Sequence, residues 1–186
     1  MFKPLTTARV MLRPLVPEDA EAVFAYRADP RVTRYQNWIP ASAEEVRTFL
    51  AGLANRDAIT RGAWFQLGIV WRETGGLAGD CGIHPGVDDP RQVELGISVA
   101  PSFQRRGLAR EALTLVLDFL FSQTDTHRVH CSVDPRNLPC IALLQKIGLR
   151  QEAHLVESLC IRDEWLDDMI FAILRREWRS PGGPGN

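Results

Sequence analysis

One junction constrains this chain more than any other. The run Leu95-Gly96-Ile97-Ser98-Val99 reads as a β-strand, turns through Ala100-Pro101-Ser102-Phe103, and continues as Gln104-Arg105-Arg106-Gly107-Leu108-Ala109-Arg110 into a helical repeat. The repeat predicts a helix over about Leu108–Ser122, with Leu108, Ala112, Leu115, Val116, Phe119 and Leu120 on one side. A strand feeding a helix this way calls for a sheet with helices packed on it. The helix start has free N–H groups and a partial positive charge, so it can hold phosphate. Gly107 permits close backbone approach, and Arg105, Arg106 and Arg110 add local positive charge. The residue types leave two readings open: an anion site, or a tight turn with solvated arginines. The junction is neither a P-loop nor a dinucleotide fingerprint, because Gly107 is its only glycine after the turn and no Gly-Lys-Ser/Thr occurs.

The remaining elements are read around this junction. Val10–Arg13 predicts a first strand, ended by Pro14 and Pro17. Pro17-Glu18-Asp19 opens a helix to about Ala28 that Asp29-Pro30 stops. A loop holding Tyr35 and Trp38 follows, and Ser42-Ala43-Glu44-Glu45 fits a capping box for a second helix. Trp64–Trp71 and Leu77–Ile83 flank the hairpin signal Glu73-Thr74-Gly75-Gly76. Gln92–Val99 and Arg128–Val133 read as strands, Leu138–Ile147 as a helix closed by Gly148, and Arg150–Cys160 and Trp165–Leu174 as two last strands. Hairpins first, then strands alternating with helices, predict an α+β (α/β mixed) chain with a mixed sheet and helices on its faces.

Composition narrows the class. The 186 residues fit one domain over 1–179, with a low-complexity tail at 180–186 expected to be disordered. Apolar residues at 45% and charged residues at 24% are globular values. A net charge of −1 gives no global field for nucleic acid or an anionic membrane, so neither is expected as a partner. Met1-Phe2-Lys3-Pro4 lacks the apolar core of a signal peptide, and no apolar run reaches the roughly 18–20 residues of a bilayer span; a soluble cytoplasmic protein is expected. The scattered Cys81, Cys131, Cys140 and Cys160 are then expected as free thiols.

The segment Gln104-Arg105-Arg106-Gly107-Leu108-Ala109 resembles the Q/R-x-x-G-x-G/A acyl-CoA signature of the GNAT superfamily of N-acetyltransferases, with Ala109 in the last place. Four more pieces follow the family order: Leu12-Arg13-Pro14-Leu15 with Asp19, Glu94-Leu95-Gly96-Ile97, Asn137-Leu138-Pro139-Cys140 through Lys146-Ile147-Gly148-Leu149, and Trp165-Leu166-Asp167-Asp168-Met169 with Glu177-Trp178. The last resembles the RimJ/RimL type, the ribosomal-protein N-terminal acetyltransferases. The likeness covers about residues 8–178.

The resemblance implies the GNAT fold: a mostly antiparallel mixed sheet whose two parallel central strands splay apart, with helices on both faces. It implies acetyl-CoA as co-substrate, lying in that splay. Its pantetheine arm would pair with Ile97, Ser98 and Val99, and its pyrophosphate would sit on the amides of Arg105 to Ala109, framed by Gln104 and Arg110. Asn137 would hydrogen-bond the cofactor; as a residue it also fits the cap of the helix at Leu138. Glu94 is the candidate general base for the acceptor ammonium, which is mostly protonated near neutral pH; the alternative is a strand glutamate facing solvent. A backbone N–H would stabilise the oxyanion. The family's tyrosine acid has no counterpart here, since the two tyrosines are Tyr26 and Tyr35, and its serine is replaced by Cys140, a candidate donor to the leaving thiolate or a buried filler of the helix face.

The acceptor site is expected between the early helices and the late hairpin, with Arg31, Arg34, Tyr35, Trp38 and the Arg162-Asp163-Glu164-Trp165 turn. Tyr35 and Trp38 are the candidate acceptor-binding residues; Trp38 and Trp165 also fit as core anchors. Cys81 with His84, and His127 and His130 with Cys131, lack metal-ligand spacing, so no metal is expected. The acceptor is expected to be a protein N-terminal amine or a small-molecule amine, and the chain a monomer or a homodimer paired through its last strands. An acyl-CoA sensor or a scaffold without turnover are the rival readings.

Overall fold

The computed structural model describes residues 2–54 and 59–180. The expected tail lies outside them from residue 181 on. The strands are β1 (Leu5–Thr6), β2 (Val10–Pro14), β3 (Phe65–Trp71), β4 (Gly76–Pro85), β5 (Gln92–Val99), β6 (Arg128–Val133), β7 (Arg150–Ile161) and β8 (Glu164–Leu174). The helices are α1 (Ala20–Arg27), α2 (Pro30–Thr33), α3 (Ala43–Ala54), α4 (Leu108–Gln123) and α5 (Leu138–Lys146). The strands make one sheet in the order β1-β2-β3-β4-β5-β6-β8-β7. Every neighbouring pair is antiparallel except β5 with β6.

Alternation along the strands gives the sheet two unlike faces. One face carries Leu67, Ile69, Ile83, Val93, Val129 and Phe171 into the main core, beneath α4 and the Leu144 and Ile147 end of α5. Each fully buried leucine of α4, such as Leu113 or Leu117, contributes roughly 1.5–3 kcal/mol by leaving water. The other face carries Gln66, Asp80, Glu94, Ser98, His130 and Asp168 at the alternate positions. Helices α1 and α3 cover only part of it, through a second cluster around Val23, Tyr26, Val46 and Leu50.

Three sequence expectations are corrected. Pro17–Asp19 forms a 3-10 turn before α1, so the first helix is not continuous. Asp29-Pro30 ends α1 but also starts α2: the Asp29 carboxylate accepts from Arg31 N, and proline is favourable in a first turn because it lacks the N–H that would go unpaired. Trp165 is exposed on the β7–β8 hairpin rather than anchored in the core.

Candidate active site

The parallel ladder between β5 and β6 has three rungs: Gln92 with Arg128, Val93 with Val129, and Glu94 with His130. Beyond Glu94 the strands part, while β5 stays paired to β4 as far as Val99. Beyond the Leu95 N–H, which belongs to the last rung, the β6-facing edge of β5 has backbone groups with no strand partner among the described residues, and a cleft of about 570 Å³ opens through the sheet. It reaches Leu113, Cys140 and Leu144 on the α4–α5 side, and Arg27, Trp38, Trp64 and Gln66 on the other. Ile97, Ser98 and Asn137 line it too.

The β5–α4 turn closes one end of this system. Arg105 has φ 60° and Gly107 φ 80°. Left-handed residues in such a turn make successive N–H groups converge, and only glycine adopts that geometry without strain. The first helical bond runs from Glu111 N to Gly107 O. Among the described residues, no protein group accepts from the amides of Arg105 through Arg110. These unsatisfied donors at the start of a 16-residue helix fit a diphosphate. Gln104 folds back so that its Nε2 donates to Val99 O at 3.0 Å. The Arg106 guanidinium lies 4.9 Å from the Trp71 ring centroid and 5.9 Å from that of Phe103, which places the Arg106 contribution to any anion in its main chain.

Asn137 caps α5, its Oδ1 accepting from Cys140 N at 3.3 Å. The cap leaves the side-chain NH2 without a protein acceptor among the described residues, so it is available to a ligand. Burial pushes the Cys140 thiol up to about 11.

Glu94 is half-buried on the polar face, its side chain 33% exposed. Burial raises its pKa above the usual carboxylate range; nearby His84 opposes the rise and Asp168 reinforces it. The His84 Nδ1 is 4.0 Å from Glu94 Oε2, and the His84 ring stacks on Trp64 at 4.9 Å. Trp64 lies on a floor made by Gly82, where an added Cβ would come within 2.8 Å of the indole. Two buried polar atoms on this face, Gln66 Oε1 and His130 Nδ1, have no protein partner among the described residues. Burial lowers the His130 pKa. Asp168 is tied down, accepting from Ser132 Oγ at 2.7 Å and Val133 N at 3.1 Å.

Tyr35 and Trp38 both reach the cleft. The Tyr35 hydroxyl donates to Arg136 O at 3.1 Å, and the Trp38 indole N–H donates to Glu45. Arg27 lies 5.2 Å from the Trp38 ring centroid while forking onto buried Asp80, which also accepts from Tyr26. Arg162 reaches across from the β7–β8 turn to Thr33 O and Gln36 O, tying the two sides of the cleft together. Arg34, Arg162 and Glu164 line the cleft, but Asp163 and Trp165 of the same turn do not. Arg31 does not: it is exposed and paired with Asp29. Trp64, Gln66, His84 and His130 line or border this site although the sequence did not mark them as site residues. The available signal was polar residues alternating with core residues on adjacent strands.

Among the described residues no group of three or more His, Cys, Asp or Glu is placed to hold a metal, and no helix is long and apolar enough to cross a membrane.

A parallel pair that splays beside a glycine turn with free amides is the arrangement that the resemblance to acyl-CoA N-acetyltransferases implies. Residues 9–150 match the family model described as Acetyltransferase (GNAT) domain. The chain therefore belongs to the GNAT acetyltransferase family and is an acetyl-CoA-dependent N-acetyltransferase. An uncharacterized N-acetyltransferase p20 of Bacillus licheniformis is 28% identical over 95% of this chain and 99% of its own length. The [ribosomal protein uS5]-alanine N-acetyltransferase of Escherichia coli is 30% identical, but over 47% of this chain and 45% of its own. A crystal structure of a GNAT-family acetyltransferase from Bacillus anthracis superposes with a TM-score of 0.83 at 25% identity, covering 94% of this chain and 100% of that one.

Proposed function

We propose that this enzyme is of the RimJ/RimL type, a single domain over residues 1–179 that works in the cytoplasm without a metal and acetylates a primary amine, either a protein N-terminus or a small molecule. The observation that carries the reading is the end of the β5–β6 ladder at Glu94, with free strand edge and free turn amides on one side and a lined acceptor cleft on the other.

When bound, acetyl-CoA supplies an acetyl group activated as a thioester. Main-chain groups of Ile97 and the Val99 N–H pair with its pantetheine arm along the edge that β6 leaves, whereas the Ser98 main chain is turned to Asp80 of β4 and the Val99 carbonyl is held by Gln104. The amides of Arg105 through Ala109 hold its diphosphate, and the Asn137 NH2 adds a side-chain donor. Tyr35 and Trp38 contact the acceptor from the opposite wall. Glu94 takes the proton from the acceptor ammonium; its raised pKa makes it a better base than an ordinary carboxylate. A main-chain N–H of β5 beyond Glu94 serves the oxyanion.

Cys140 lines the cleft on the cofactor side. Burial pushes the Cys140 thiol up to about 11, which disfavours giving up its proton. Cys140 therefore keeps its proton and offers the leaving sulfur an S–H hydrogen bond.

The test is thiol release from acetyl-CoA across a panel of N-terminal peptides, polyamines and amino acids. Amine-dependent release is expected. CoA binding with no release for any amine would contradict the reading.

A further inference from the structure

The N-terminal segment reaches across the sheet edge to the β5–α4 turn, and the contact is specific. Arg9 Nε donates to Glu111 Oε1 at 2.7 Å, and Arg9 Nη2 donates to the same carboxylate. Thr7 Oγ1 donates to Glu111 Oε2 at 2.9 Å. Arg9 Nη1 donates to the carbonyl of Arg106 at 3.1 Å. An added Cβ on Gly107 would stand 3.3 Å from Arg9 Nη2. One guanidinium thus grips both the turn and the first turn of α4.

We propose that Arg9 is a positioning residue for the acyl-CoA site, acting on the diphosphate turn through its clasp on Arg106 O and Glu111. The proposal rests on reading that turn as the diphosphate site. Two physical effects carry it. In a planar trans peptide the C=O and N–H of one unit point in opposite directions. Holding the Arg106 carbonyl toward Arg9 therefore aims the Gly107 N–H away from Arg9 and fixes the left-handed geometry of Arg105 and Gly107. The second effect is charge. Glu111 puts a carboxylate in the first turn of α4, beside the amides that would meet an anion; Arg9 neutralises it and Thr7 holds it in place. The Arg9 side chain is 51% exposed and lies outside the main core, so its loss acts on the turn before it acts on the fold.

Titration calorimetry with CoA, paired with initial rates, tests this. Arg9→Ala is expected to raise both the Kd for CoA and the KM for acetyl-CoA about tenfold, the scale of one charge-assisted hydrogen bond. Turnover number and the KM for the amine are expected to stay within about twofold, because no reacting group moves. Arg9→Lys keeps the charge without the planar fork and is expected to fall between Arg9→Ala and wild type. An unchanged Kd in folded Arg9→Ala overturns the proposal, as does a loss confined to kcat. If Arg9→Ala does not fold, Arg9→Lys decides, and wild-type affinity there overturns it. Wild-type protein that binds no CoA would instead overturn the reading of the turn itself.

Discussion

Glu94 and His130 face each other across the last rung that β5 and β6 share; one residue later the strands have separated. The carboxylate thus stands at the mouth of the splay, where the main-chain edge and the acceptor cleft meet. In the antiparallel register its other neighbour is His84, so Glu94 sits between two histidines on the polar face.

Replacing Glu94 with Gln keeps the shape and removes the base. kcat/KM at neutral pH is expected to fall by about 10²–10⁴, the usual range for a lost general base. CoA affinity should stay unchanged in calorimetry. Near-normal turnover would remove Glu94 from the mechanism.

The acid limb of the pH–rate profile should report Glu94. The base works deprotonated, so activity is lost as pH falls through its pKa. Burial raises that pKa, and the limb should lie above the ordinary carboxylate range. His84 opposes the rise, so His84→Gln should move the limb to still higher pH. A shift to lower pH would contradict the electrostatic assignment.

The shoulder of the cleft depends on Asp80, whose side chain is 2% exposed and accepts from both Arg27 and Tyr26. Burial, with the Asp80 carboxylate next, holds the Tyr26 phenol protonated well above its usual range. Asp80→Ala strands the Arg27 cation, whose side chain is 12% exposed. The cost is expected to be about 3–5 kcal/mol, or a Tm lower by roughly 6–20 °C for a chain of this size. Tyr26→Phe removes one donor and leaves the ion pair, at about 1–3 kcal/mol. Scanning calorimetry that finds the two variants equally stable would contradict this ranking.

Cys140→Ser and Cys140→Ala separate a hydrogen-bond donor from a space-filler. Serine keeps a donor and should retain most turnover. Alanine should lose about two- to tenfold in kcat, since a weak neutral donor contributes on the order of 1 kcal/mol. Equal rates in both variants would make Cys140 a packing residue.

Much of the fold was legible because its signals are local. The α4 periodicity and the Gly75-Gly76 turn of the β3–β4 hairpin need only neighbouring residues, and α4 differs from the reading by one residue at its end. The Ser42 cap is similar: Ser42 Oγ accepts from Glu45 N at 3.1 Å, although the Glu45 carboxylate turns to Ala41 N instead of closing the box on Ser42. β1 was not legible, because two residues carry no period. The partners of Glu94 were not legible for a different reason. Placing His84 and Trp64 beside it requires the register of three strands, and the β3–β4 ladder shifts between Ile69 and Val70. A one-residue error there turns every side chain to the wrong face. Glu94 itself could be nominated because the motif Glu94-Leu95-Gly96-Ile97 that carries the family resemblance is contiguous in sequence.

The central claim is that the main-chain nitrogens around Gly107 receive the diphosphate of acyl-CoA. Amide resonances followed by ¹H–¹⁵N NMR during CoA titration test it most directly. The account predicts that the amides of Arg105 through Ala109 show the largest downfield proton shifts, and that they saturate together. Saturable CoA binding that leaves those five resonances in place would contradict it.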